Sequence, residues 1–171
     1  HVSTVLLDDG KTILAVLRGD EARVVVTADK IAPIMKQAVV AVEDRRFFEH
    51  RGVDLRGIFR AVWADVSSKE VVQGGSTITQ QLVKNTYIEP ELTVSRKLKE
   101  AALAWQLERS WSKERILTAY LNTIYFGRGA YGVQAAAQAY FDEKAKELTL
   151  AQSAVLASVL ALTLAWQRAG A

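Results

Sequence analysis

The stretch "LTLAQSAVLASVLALTLAWQ", residues 148–167, runs for twenty positions without a charged residue. A helix of about twenty apolar residues is long enough to cross a bilayer. This segment therefore constrains the fold more than any other: it is either the core helix of a globular domain or a helix that meets a membrane. Thr149, Gln152, Ser153, Ser158 and Thr163 dilute its hydropathy, which favours a core helix, with a membrane-touching helix as the alternative. A core helix of this length needs neighbours with apolar stripes of their own.

The rest of the chain supplies them. After Thr27 the pattern turns helical: Pro33 suits a first turn, and Ile31, Ile34, Ala38 and Val42 fall on one face. Asp54 is a good N-cap for a helix carrying Leu55, Ile58, Phe59, Val62, Trp63 and Val66 at helical spacing. Further helices are predicted over 77–86, 94–109, 112–124, 130–141 and 149–166, with Ser112 and Thr149 as caps. "SSKEVVQGG" (67–75) reads as a polar loop and "FGRG" (126–129) as a break. Near the N-terminus, "STVLLDDGKTILAVL" places an Asp9-Gly10 turn between apolar runs, a β-hairpin signal, and "ARVVVTA" reads as a third strand. The expected organisation is a small N-terminal β element over 1–28 and one mainly α-helical domain over 29–171.

Composition narrows the chemistry. The 171 residues are 50% hydrophobic and 24% charged, enough to bury a core and not a disordered composition. The net charge of +3 suits anionic lipid, a phosphorylated ligand or nucleic acid. Aromatic residues follow apolar helix faces and do not interleave with basic ones, so nucleic acid is not an expected partner. With no cysteine there is no disulfide framework, thiolate metal site or thiol nucleophile. The opening "HVSTVLLDDGKTIL" is alternating and polar, so an export or anchoring segment is expected upstream of it.

Three stretches could carry chemistry. In "QGGSTITQQLVKN" (73–85), Thr77 and Gln80 fit a T-x-x-Q capping box. The same helix sets Thr77, Gln81 and Lys84 at i, i+4 and i+7, and a helix N-terminus with a lysine favours phosphate or pyrophosphate. The G-x-x-x-x-G-K-[ST] phosphate loop is absent, so capping alone and anion binding both stand. In "SRKLKEAALAWQLER" (95–109), Arg96 and Glu100 are either a surface pair or, with Lys97, the charged wall of a cleft. In "VEDRRFFEHRGVD" (42–54), Glu43 and Asp44 end an apolar helix just before Phe47 and Phe48. A carboxylate in such partly dry surroundings suits a general base or acid; surface pairs Glu43–Arg46 and Asp44–Arg45 are the plain alternative. His50 has only His1 as a second histidine, so zinc is not expected. "SWSK" (110–113) matches the S-x-x-K acyl-transfer motif, but no K-T-G follows, and Ser112 is read as a cap.

Taken in order, "EDRRFFEHRGVD", "GGSTITQQLVKN", "RKLKE", "KERILTAYLNTIYFGRGAYGVQAAAQAYF" and "LTLAQSAVLA" resemble the family 51 peptidoglycan glycosyltransferases. These domains occur in class A penicillin-binding proteins and monofunctional cell-wall polymerases. The resemblance runs from about Ile31 to Leu160. It implies a lysozyme-like bilobal fold, with a head and a membrane-proximal jaw. It also implies polymerisation of lipid II, with inversion at the donor's anomeric carbon and release of undecaprenyl pyrophosphate. Carried over by position, Glu43 is the general base, and Glu100 positions acceptor or diphosphate, with Mg2+ or Mn2+ as a candidate cation there. Thr77, Gln81, Lys84, Arg96 and Lys97 grip the donor's diphosphate and sugar, and Asp44, Phe47 and His50 shape the site. The implied partners are lipid II, the lipid-linked glycan strand, the membrane surface and other cell-wall synthesis proteins. The implied place is the extracytoplasmic face of the bacterial cytoplasmic membrane, anchored by an upstream segment. A lysozyme-like hydrolase and a non-catalytic helical module binding membrane or partner are the rival readings. Three departures stand out: Thr118 where the family often has glutamate, a tail "ALTLAWQRAGA" without the usual proline, and no transpeptidase motifs.

Overall fold

The computed structural model describes residues 2–6, 13–18, 24–54, 56, 76–87 and 94–169. Strands β1 (Val2–Leu6) and β2 (Ile13–Arg18) pair antiparallel, Val2 opposite Arg18, as the hairpin signal predicts. The Asp9-Gly10 turn, the helix after Asp54 and the 67–75 loop lie outside the described residues. A 3-10 turn, Ala28–Lys30, leads into α1 (Pro33–Glu43), α2 (Ile78–Tyr87), α3 (Val94–Ser110), α4 (Lys113–Thr123), α5 (Val133–Phe141) and α6 (Leu150–Ala169). The mainly helical architecture matches the expectation.

The expected third strand does not form over Val24–Thr27. Asn122, on α4, takes both backbone groups of Val26: its Oδ1 accepts the N–H at 2.9 Å and its Nδ2 donates to the carbonyl at 2.8 Å. A backbone already satisfied by a side chain has nothing left to offer a ladder at that residue.

Helix starts follow the sequence signals closely. Pro33 occupies the first turn of α1. Ser112 caps α4, its Oγ accepting from the Arg115 N–H, which settles the "SWSK" stretch as a helix start. Thr149 and Gln152 form a reciprocal box at α6. The predicted 130–141 helix starts late, at Val133. Residues 124–132 instead fold back through a Tyr125–Tyr131 bridge, and Gly132, at φ +86°, lies so close to α4 that a Cβ would sit 2.7 Å from the Asn122 carbonyl oxygen.

The core face of α1 is rotated from the expected one. Met35 and Val39 are fully buried, Ile34 and Ala38 only partly, and Val42 is 49% exposed. Ile31 is buried but precedes the helix, so it does not set the helical phase. Stepping four residues from Met35 through Val39 reaches Glu43, which puts that carboxylate on the inward stripe.

α1 packs along α6, while α2 packs against both α3 and α4. Met35, Val39, Phe47, Ile78, Ile116, Tyr120, Leu121, Phe126, Leu156 and Leu160 form one continuous core. Leu150–Gln167 is long and apolar enough to cross a membrane by length and composition. Its Ser153, Leu156, Ala157, Leu160 and Leu164 nevertheless lie in the core, while Leu150, Val155, Leu162 and Trp166 are exposed. α6 is thus a core helix on one face and an apolar surface on the other.

Candidate active site

The segment after α1 is held by its own charges. Asp44 ends the helix and is 8% exposed. Its carboxylate accepts from His50 Nε2 at 2.9 and 3.0 Å and from the backbone N–H of Ile78 at 3.1 Å. Asp44 therefore closes the first turn of α2 from outside, where a carboxylate meets unsatisfied N–H groups and the positive end of the helix dipole. Arg46 pairs with Asp54 in a two-point contact. The hydrogen bonds that Arg46 donates to Asp54 hold its guanidinium pKa above its ordinary value. The surface pairs Glu43–Arg46 and Asp44–Arg45 do not form: Arg46 turns to Asp54, Asp44 to His50, and Arg45 to the Ala41 carbonyl. Phe47 is fully buried, edge-on to Phe48 and His50, with the Lys113 ammonium 4.4 Å from its ring centre.

α2 is tied to this segment at two points. Thr77 and Gln80 make the capping box, Gln80 Oε1 accepting from the Thr77 N–H and Thr77 Oγ1 from the Gln80 N–H. The Thr77 hydroxyl also donates to the Gly52 carbonyl at 2.6 Å. Gly52 has φ +75°, and a Cβ there would meet the Trp105 nitrogen at 2.6 Å, so only glycine allows the loop to touch α3. Gln81 makes the second tie. Its Nε2 donates to Glu43 Oε2 at 2.9 Å and its Oε1 accepts from the Tyr120 hydroxyl at 2.8 Å.

Beyond Gln81 opens a cleft of about 170 Å³, lined by Ser76, Gln81, Lys84, Arg96, Lys97 and Glu100, with Leu164 and Gln167 of α6 on one side. Glu100 is 1% exposed. Its oxygens lie 3.2 Å from Arg96 Nε and 3.0 Å from Lys97 Nζ, and Lys97 also donates to Ser76 Oγ at 2.9 Å. A buried carboxylate with a cation near each oxygen keeps both cations at the cleft lining by charge. Both Glu100 oxygens thus face cations, and no group of three or more histidine, cysteine or acidic residues that could hold a metal occurs among the described residues. These residues do not fit a Mg2+ or Mn2+ site at Glu100.

Gln81, Lys84, Arg96, Lys97 and Glu100 are thus brought together, and Glu43 joins them through Gln81. Thr77 sits behind them as a buried cap, and Asp44, Phe47 and His50 lie inside the structure that supports Glu43. Ser76, Leu164 and Gln167 were not among the expected site residues, and Tyr120 entered only as a motif position kept in the resemblance, with no role assigned. Tyr120 alone had a usable signal, because a tyrosine on a buried helix face needs a hydroxyl partner.

A transglycosylase family model matches residues 9–168. The chain belongs to the transglycosylase family. Penicillin-binding protein 1F of Bacillus subtilis is 43% identical over 93% of this chain and 22% of its own length. Penicillin-binding protein 1A of Escherichia coli is 50% identical over 82% of this chain and 17% of its own, and that of Aquifex aeolicus 48% over 82% and 19%. This transglycosylase chain spans about a fifth of the length of these relatives. The motifs from Glu43 to Ala157 that resemble peptidoglycan glycosyltransferases all fall inside the matched region.

Proposed function

We propose that this domain polymerises lipid II into β-1,4-linked glycan strands by inverting transfer, with Glu43 as general base. The observation that carries this reading is Gln81: one residue borders the cationic cleft and holds the Glu43 carboxylate. The base and the anion-holding groups are thereby fixed side by side. In the reaction, the acceptor's sugar 4-hydroxyl loses its proton to Glu43 as its oxygen bonds to the donor's anomeric carbon. The bond from that carbon to the diphosphate breaks, and the electron pair leaves with undecaprenyl pyrophosphate. A diphosphate needs no proton to depart when cations hold it, and Lys84, Arg96 and Lys97 supply that charge. Glu100 keeps Arg96 and Lys97 aimed, and no step is routed through a metal ion.

Hydrolysis calls for two carboxyl groups flanking the scissile bond. Asp44 and Glu100 are both engaged, one by His50 and Ile78, the other by Arg96 and Lys97. Their engagement favours transfer. Membrane-bound substrate suits the exposed apolar face of α6, and we place the domain at the extracytoplasmic face of the cytoplasmic membrane, working on lipid II and the lipid-linked strand beside other cell-wall synthesis proteins. Incubation with labelled lipid II tests the reading: long strands are the expected product. Soluble fragments released from preformed glycan, with no strand growth, would replace it with hydrolysis.

A further inference from the structure

We infer that Tyr120 is a positioning residue for the proposed base, acting through Gln81 on Glu43. The inference rests on Glu43 being that base. A side-chain amide has two chemically different ends, and its orientation is set by its partners. The Tyr120 hydroxyl, fully buried on α4, donates to Gln81 Oε1 at 2.8 Å. That contact turns Nε2 toward Glu43, where it donates to Oε2 at 2.9 Å. The reverse orientation would set the amide oxygen against a carboxylate oxygen, two acceptors facing each other. Tyr120 thus keeps the Gln81 amide aimed at Oε2 of the proposed base, and that oxygen can accept from Nε2 before and after the base takes a proton.

The chain also sets the basicity of Glu43. A hydrogen bond donated to the charged form favours that form, so losing it raises the pH at which the base becomes available. Among the described residues, the charged groups on the surrounding elements are Lys36 on α1, Asp44, Arg45, Arg46, Glu49, His50, Arg51 and Asp54 on the segment after it, Lys84 on α2, Arg96, Lys97, Lys99, Glu100, Glu108 and Arg109 on α3, and Lys113, Glu114 and Arg115 on α4. α6 carries none between Leu150 and Gln167. All are common to the variants below, so differences between those variants report the relay.

The test is the pH profile of strand synthesis for wild type, Tyr120→Phe, Gln81→Met and the double variant, with Glu43→Gln as reference. Tyr120→Phe is expected to lower kcat roughly tenfold to thirtyfold, to leave KM within twofold, and to move the acidic limb to higher pH. The double variant is expected to match Gln81→Met alone, since a residue acting through another adds nothing once that one is gone. Site-specific 3-fluorotyrosine at position 120 keeps the ring's shape and strengthens its donor, and should move the acidic limb to lower pH. This variant keeps the test open even if the phenylalanine variant folds poorly. Additive losses in the double variant, or an unmoved limb in both position-120 variants, would overturn the relay. An active Glu43→Gln would instead overturn the base assignment beneath it.

Discussion

Asp44→Ala removes the acceptor that joins the end of α1 to the start of α2. Two donors lose their partner at once, the Ile78 N–H and His50 Nε2, both in a site where Asp44 is 8% exposed. A buried donor left unsatisfied costs about 1–3 kcal/mol, so the pair should cost about 4 kcal/mol. For a domain of this size each kcal/mol lowers Tm by about 2–4 °C, which gives a fall of roughly 8–16 °C. Asp44→Asn separates the two contacts. The amide oxygen can still accept from Ile78, but its NH2 faces the imidazole, which must then accept at Nε2 and carry its proton on Nδ1. His50 Nδ1 is buried and has no hydrogen-bond partner among the described residues, so one donor is orphaned and the cost should be about 2 kcal/mol. Thermal unfolding followed by near-ultraviolet circular dichroism measures both. A fall under 2 °C for Asp44→Ala, or an asparagine variant as unstable as the alanine one, would refute the bridging role.

Other consequences are equally direct. Gly52→Ala forces a Cβ to within 2.6–2.8 Å of the α3 backbone at φ +75°; left-handed strain alone costs about 1–2 kcal/mol, and a Tm within 2 °C of wild type would show the contact is not tight. Lys84→Ala and Arg96→Ala should each cut strand synthesis at least tenfold with Tm nearly unchanged, and normal turnover in both would remove the diphosphate-holding argument. Thr27 donates to Asp29 at 2.5 Å, and that hydrogen bond holds the Asp29 carboxyl below its ordinary 3.8. A lowered carboxyl stabilises the fold above its unfolded value and loses that contribution as pH falls through the folded one. Thr27→Val should therefore raise the Asp29 titration midpoint toward 3.8 by NMR, and an unmoved midpoint would show that the contact is absent in solution.

Much of this was legible in the sequence because it is local. The Thr77–Gln80 box, the Ser112 and Thr149 caps and Pro33 all act within a few residues, and each stands where spacing put it. The phase of α1 was less legible: Ile31 is apolar and buried, yet lies before the helix, and including it rotated the face away from Met35 and Val39. The failed third strand turned on Asn122, 96 residues from Val26, a distance that no local pattern reports. At the site, spacing grouped Thr77, Gln81 and Lys84 on a helix side. It could not tell that Thr77 would face the Gly52 carbonyl while Gln81 turned to Glu43 and Tyr120. The charges of residues 42–54 were ambiguous for the same reason. Arg46 pairs with Asp54 and His50 with Asp44 inside the segment, while Asp44 also reaches Ile78 and Glu43 reaches Gln81, more than thirty residues on.

The most direct test is strand yield from labelled lipid II for wild type and Glu43→Gln at matched Tm. The proposed mechanism predicts long strands from the wild type and none from a folded Glu43→Gln. Strands of normal length and yield from that variant would contradict it.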